Sequence, residues 1–174
     1  FVGNTMIDTL IANMNNLRPP KFMLGKEAHE YFILTLHRPA NVDDIDKLET
    51  LINAINEATK DIEVIFPVHP RTLKSINSIK KIPNNFKFVD PLPYLEFNYL
   101  VKGSKAVITD SGGITEEATV MGIPCLTLRD STERPETVNE GTNELVGTNP
   151  DNIKPILDKL FANNWKKGGI PELW

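Results

Sequence analysis

Cysteine is nearly absent from this sequence. Cys125 is the only one in 174 residues, which excludes an intrachain disulfide and any cysteine-rich zinc site. It lies in the apolar run 123–128 and reads as a buried structural thiol. Positive charge is not in excess either. Nineteen Lys and Arg against 23 Asp and Glu give a net charge of -4, so there is no general pull toward nucleic acid or an anionic membrane, and any anion site is local. No apolar stretch approaches the roughly 20 residues that span a bilayer. The start, Phe1-Val2-Gly3-Asn4-Thr5, lacks the basic and apolar regions of a signal peptide. These absences predict a reducing, cytoplasmic setting. Three histidines and scattered acids give no metal-ligand cluster, and no Walker-type sequence or Gly-x-Ser-x-Gly elbow occurs, so neither a metal nor a cofactor is expected.

What is present is a regular alternation. Apolar runs at Tyr31–Leu36, Glu63–Val68, Phe86–Val89, Ala106–Thr109, Pro124–Leu128 and Glu144–Val146 read as strands. Helical patterns lie between them. One runs from Thr5 to Met14 with Asn4 or Thr5 as cap, and another opens at Asp43 or Asp44 and passes through Leu48, Leu51, Ile52 and Ile55. A short one carries Leu73, Ile76 and Ile79 on one side. Others cover Tyr94–Val101, Gly113–Met121 and Asn152–Ala162. Strand and helix in turn predict an α/β domain: a doubly wound, Rossmann-like parallel sheet covered on both faces. The length suits one such domain over residues 1–174. Beginning at Phe1 and not at Met, it is expected to be a piece of a longer protein.

The polar signatures fall just after strands, at the carboxyl ends where such sheets bind ligands. The central one is Thr109-Asp110-Ser111-Gly112-Gly113-Ile114-Thr115-Glu116-Glu117, read as strand, tight turn and helix. A helix start leaves N–H groups without partners at the positive end of the dipole, so a phosphate fits there. The plainer alternative is that Ser111 caps the helix and the glycines only shape the turn. Glu116 and Glu117 read as first-turn residues of this helix, where acids suit the dipole; one of them could instead accept hydrogen bonds from ribose hydroxyls. About 100° separates them around the helix, so at most one points squarely at a ligand.

Other candidates flank this turn. His37-Arg38 follows the first strand of the sheet, where the imidazole could bond a phosphate or move a proton. His69-Pro70-Arg71 repeats the arrangement one strand later, with the prolines possible turn formers and Arg71 a possible anion contact. His29 follows no strand and reads as solvated. Phe97 is placed to lie beside the glycine turn and could stack on a base, or be core. The charged run Arg129-Asp130-Ser131-Thr132-Glu133-Arg134-Pro135-Glu136 is either a solvated loop or a source of guanidinium forks for phosphate, with Glu133 able to hold an arginine in place.

These motifs together resemble the UDP-N-acetylglucosamine 2-epimerases. The resemblance rests on residues 109–117, on 129–136, and on Gly141-Thr142-Asn143-Glu144-Leu145-Val146-Gly147. Phe1-Val2-Gly3-Asn4-Thr5-Met6-Ile7-Asp8, Leu36-His37-Arg38 and Pro67-Val68-His69-Pro70 match in the same order. The resemblance implies one half of a GT-B-type fold, in which two Rossmann-like domains face each other across a cleft. This chain corresponds to the carboxyl-terminal, UDP-binding domain, with an amino-terminal domain before it and a final helix after it. The implied reaction interconverts UDP-GlcNAc and UDP-ManNAc by elimination and re-addition of UDP. Carried over residue by residue, Ser111, Gly112 and Gly113 would bind the diphosphate. His37 and Arg134 would contact the phosphates with His37 in a catalytic role, and Arg38 would join the substrate contacts. Glu117 would hold the ribose and leave Glu116 as a surface residue, while Phe97 would lie against uracil.

The family's acid and base carboxylates belong mainly to the other domain, so the chain alone is expected to bind UDP or UDP-GlcNAc without turnover. A homodimeric parent is also implied. Where bacterial non-hydrolysing relatives usually carry Glu-Asn, this chain has Ala40-Asn41. That departure leaves open both activation by a second UDP-GlcNAc and a hydrolysing outcome that releases ManNAc. A GT-B glycosyltransferase and a nucleotide-binding module without chemistry are the alternatives from other classes.

Overall fold

A computed structural model describes residues 3–23, 27–172 and 174, with the side chain of Arg71 outside the description. Six strands form one wholly parallel sheet. They are β1 (Tyr31–Thr35), β2 (Glu63–Pro67), β3 (Phe86–Val89), β4 (Ala106–Thr109), β5 (Cys125–Thr127) and β6 (Asn143–Leu145). Their spatial order is β3-β2-β1-β4-β5-β6. The chain winds outward from β1 through β2 to β3, then returns to the other side of β1 to begin β4. The expected doubly wound fold is therefore present, and its switch point lies between β1 and β4. There the connections leave in opposite directions and open a crevice at the carboxyl ends.

Alternation along the strands builds two cores. Phe32, Leu34, Val64, Phe66, Ile108 and Leu126 face one way. Over them lie α3 (Ile45–Thr59), α4 (Pro70–Ile76) and α8 (Ile153–Phe161), through residues such as Leu48, Ile52, Ile76 and Leu157. Tyr31, Ile33, Ile65, Val107 and Cys125 face the other way, under α5 (Tyr94–Gly103) and α6 (Gly112–Met121). Burial pushes the Cys125 thiol up to about 12, as suits an inert packing residue.

Local chemistry sets the helix ends. Asp44 caps α3 by accepting from the amides of Asp46 and Lys47. Asn4 does the same for α1 (Thr5–Asn13), accepting from Met6 and Ile7.

Three details depart from expectation. Leu73 is exposed, because the inner side of α4 carries Thr72 and Ile76; the helix ends there, leaving the following turn to bury Ile79. A short helix, α2 (Pro39–Val42), fills the stretch after Arg38, with Pro39 at its first turn. The charged run after β5 contains another, α7 (Pro135–Asn139), again opened by a proline. Each of these two is about one turn long, too short to show a helical period.

The Gly-Thr-Asn motif before β6 has a packing cause. A Cβ on Gly141 would stand 2.6 Å from both the Thr137 carbonyl oxygen and the Thr119 side chain. Next to it, Asn143 is fully buried, accepting from the Thr127 hydroxyl at 2.7 Å and donating to Thr137 Oγ1 at 3.1 Å. Gly141→Ala is therefore expected to cost about 1–3 kcal/mol by overpacking against backbone, measured by urea unfolding.

Candidate active site at the sheet switch point

The crevice between β1 and β4 is built around a carboxylate that the motifs alone did not single out. Asp110 comes directly after β4 and is fully buried. It accepts from the backbone N–H groups of His37 (3.1 Å) and Arg38 (2.9 Å) and from Asn41 Nδ2 (3.1 Å). His37 Nδ1 lies 2.8 Å from its Oδ1. Its own carbonyl accepts from Arg38 Nε at 3.1 Å. These contacts are a product of topology. β1 and β4 are neighbours in register, Thr35 opposite Thr109, so the segments that leave their carboxyl ends must meet. The signal available in the sequence was an acid one residue after a strand, on the central turn.

A carboxylate can only accept, so the proton between Asp110 and His37 sits on Nδ1. The other ring nitrogen, Nε2, then accepts while the ring is neutral and donates once it is protonated. His37 faces a cleft of about 210 Å³ lined also by Phe97, Ser111, Ile114 and His69. The structure thus brings together three of the expected site residues, His37, Phe97 and Ser111.

The start of α6 forms the wall of this cleft. Ser111 occupies the N-cap position, yet its side chain makes no capping hydrogen bond. Its own N–H is taken by Thr109 Oγ1, and among the described residues the N–H groups of the first helical turn remain open. Serine as a simple cap is thereby excluded. The two glycines differ in their surroundings. A Cβ on Gly112 would meet nothing closer than Arg129 Nη1 at 3.9 Å, so the approach to its backbone is open. A Cβ on Gly113 would lie 2.8 Å from Met6 Cε, the movable end of an exposed side chain on α1.

Because α6 begins at Gly112, Glu116 and Glu117 fall in its second turn, beyond the first-turn reach of the dipole. They point to different neighbours. Glu116, expected at the surface, is only 2 % exposed and pairs with Arg134 Nε at 2.6 Å. Glu117 is 6 % exposed and meets Tyr94 and Asn98 of α5, outside the small cleft. Burial raises its pKa, and bonds from Tyr94 and Asn98 only partly offset that. Burial beside Glu117 also pushes Tyr94 up to about 12.

Positive charge gathers at the rim. Arg129 Nη2 donates to Glu133 at 3.0 Å, and Arg38 lies 3.8 Å from the same carboxylate. Arg129 first of all holds the Glu133 pKa down. Glu133 therefore does hold an arginine in place, one of the two roles open to it from the sequence. His29 is exposed, with its ring on the Ser104 carbonyl. Arg71, the other anion candidate, has its side chain outside the described residues. Among those residues, no group of His, Cys, Asp and Glu is arranged to hold a metal, and no helix is long and apolar enough to cross a membrane.

An open helix start at a sheet switch point, with Arg38, Arg129 and a histidine near it, is the kind of place where sheets of this type receive anionic ligands. Comparison with known proteins specifies it. A sequence profile of the UDP-N-acetylglucosamine 2-epimerase family matches residues 1–169. The chain is 43 % identical over 176 residues to a UDP-N-acetylglucosamine 2-epimerase of Methanococcus maripaludis, covering 94 % of this chain and 48 % of that one. It is 38 % identical over 154 residues to a UDP-2,3-diacetamido-2,3-dideoxy-D-glucuronate 2-epimerase of Pseudomonas aeruginosa, covering 87 % and 42 %. The crystal structure of the Methanocaldococcus jannaschii UDP-GlcNAc 2-epimerase in complex with UDP-GlcNAc and UDP superposes with a TM-score of 0.82 at 37 % identity, covering 96 % of this chain and 49 % of that one. The chain belongs to the UDP-N-acetylglucosamine 2-epimerase family, and it spans about half the length of the relatives it matches.

Two outcomes test the site's construction. Asp110→Ala strands the His37 and Arg38 amides and the Asn41 side chain, and is expected to cost about 3–5 kcal/mol in chemical denaturation. Glu117→Gln is expected to do the reverse at neutral pH. The folded-state pKa of Glu117 lies above its unfolded value, so ionisation at pH 7 opposes folding. That cost is fully present above the folded pKa and vanishes as pH falls below the unfolded one. The variant should therefore exceed wild type in stability at pH 7, and the gain should disappear in thermal melts taken near pH 4.

Proposed function

We propose that this chain is the carboxyl-terminal, UDP-binding half of an epimerase that interconverts UDP-GlcNAc and UDP-ManNAc without net hydrolysis. The single observation that carries the reading is the uncapped start of α6 in the β1–β4 crevice, with the Ser111 side chain and the first-turn amides unused by the protein. In this reading Ser111, Gly112 and Gly113 bind the diphosphate, and Arg134 adds a guanidinium. Glu117 accepts from the ribose hydroxyls, and Phe97 lies against uracil. His37 and Arg38 face the phosphates from β1. The family likeness supports these roles, as does the meeting of His37, Phe97 and Ser111 at one cleft.

Epimerisation at C2 requires that the C2 proton leave and return on the opposite face while the C1–O bond to UDP breaks and re-forms. Negative charge grows on the departing diphosphate. Fixed N–H dipoles at α6, together with Arg134, stabilise it at that moment without reorganising. His37, held by Asp110, offers Nε2 to a phosphate oxygen, donating when the ring is protonated. The carboxylates that handle the C2 proton are assigned to an amino-terminal domain, so this half holds the leaving group and does not turn over alone. On family likeness the parent is read as a cytoplasmic homodimer. The Pseudomonas relative's substrate favours one variation, a uronic-acid sugar in place of GlcNAc; it would leave the UDP contacts unchanged.

Calorimetry on the purified chain tests this. UDP should bind, and Arg134→Ala should weaken it about tenfold or more, the loss of one charge-assisted contact. Affinity unchanged in Arg134→Ala and in Glu117→Gln would falsify the residue roles. Measurable epimerisation of UDP-GlcNAc by these 174 residues would overturn the division of labour.

A further inference from the structure

Glu116 is used by no role above, yet it is an almost fully buried acid in the second turn of α6, and such a group needs a reason. Its Oε1 takes two donors, Arg134 Nε at 2.6 Å and Asn4 Nδ2 at 2.9 Å. As a stabilising device this is poor. Burying the carboxylate is costly, and a partner whose side chain is 50 % exposed offsets little of that.

The geometry is better explained by what it does to Arg134. The backbone of that residue is held on both sides: its N–H donates to Thr132 Oγ1 at 3.1 Å, and its carbonyl accepts from Thr137 Oγ1 at 2.8 Å. Thr137 is tied in turn to buried Asn143 beside β6. Glu116 then takes the side chain at Nε, the nitrogen nearest the backbone. A guanidinium gripped there keeps both Nη groups at its outer end, in the planar fork that matches two phosphate oxygens. Glu116 is itself fixed by Asn4, whose amide is committed at both atoms. Its oxygen caps α1 while its nitrogen holds the carboxylate. Glu116 follows Gly112 by four residues and Gly113 by three, which puts it on their face of α6, one turn on from the open helix start.

We propose that Glu116 is a positioning residue for the diphosphate: it grips Arg134 by Nε, aims its Nη fork at the start of α6, and takes its own position from the Asn4 cap. The proposal rests on the reading that this helix start receives the diphosphate of UDP. It gives both acids of the Glu-Glu pair a function, each through a different partner.

The test is a double-mutant cycle by calorimetry, with UDP and uridine as ligands, on wild type, Glu116→Gln, Arg134→Ala and the double variant, plus Arg134→Lys. Glu116→Gln should weaken UDP about tenfold and leave uridine unchanged. In the Arg134→Ala background it should cost nothing further. Arg134→Lys, which keeps the charge but has no second nitrogen to present, should bind UDP as poorly as Arg134→Ala. Equal losses for UDP and uridine, or additive losses in the cycle, overturn the proposal. Should Glu116→Gln fail to fold by circular dichroism, the lysine variant decides, and wild-type UDP affinity in Arg134→Lys overturns it. A wild-type chain that binds no UDP removes the diphosphate reading and this proposal with it. UDP binding with an additive cycle removes the proposal alone.

Discussion

The structure depends on one buried carboxylate. Asp110 is fully buried away from bulk solvent, so it must collect donors from the protein, and the donors it collects are the amides of His37 and Arg38, the His37 ring and Asn41. Those groups belong to the segment after β1, whereas Asp110 itself leads into α6. One side chain thus welds the two halves of the doubly wound sheet at the point where they diverge. It leaves the imidazole facing outward and holds the turn that starts α6. Without that weld, the crevice would be a gap between two loops.

Around it, charge is arranged at a cost to local stability. The start of α6 keeps its amides open among the described residues, Arg38 and Arg129 stand near it, and Arg134 pairs with Glu116 one turn further on. Glu133 and Glu116 restrain them without covering the helix start. Glu117 is buried with its pKa raised, a condition that opposes folding at neutral pH. A sheet of this kind, with apolar strands packed on both faces, is stable enough to tolerate such a site. The division is consistent: the strands and inner helix faces supply stability, and the carboxyl edge of the sheet gives some of it up.

Much of this was legible in the residues. The first four strands announce themselves because each is a short run rich in β-branched or aromatic residues, and the alternation of strands with helical periods leaves a parallel sheet as the simplest solution. Asn4 and Asp44 could be read as caps because capping is a local interaction with the next two or three amides. The short helices α2 and α7 were not legible, since one turn has no period. Leu73 was misplaced for a related reason: three apolar residues at helical spacing do not reveal that the helix ends at the second of them.

The sequence by itself determined the strands and the longer helices, the family likeness and the glycine turn that could take a phosphate, because these rest on local periodicity and on contiguous motifs. Tertiary structure alone decided which of two adjacent glutamates meets which partner. It also decided that Ser111 leaves its helix uncapped and that Asp110 organises the crevice. The deciding contacts join residues 73 and 112 positions apart: Asp110 with His37 across β1 and β4, and Glu116 with Asn4 across α1 and α6. Local pattern carries no information about contacts made by closing loops of that length; only the packed sheet, by fixing strand order and register, selects them.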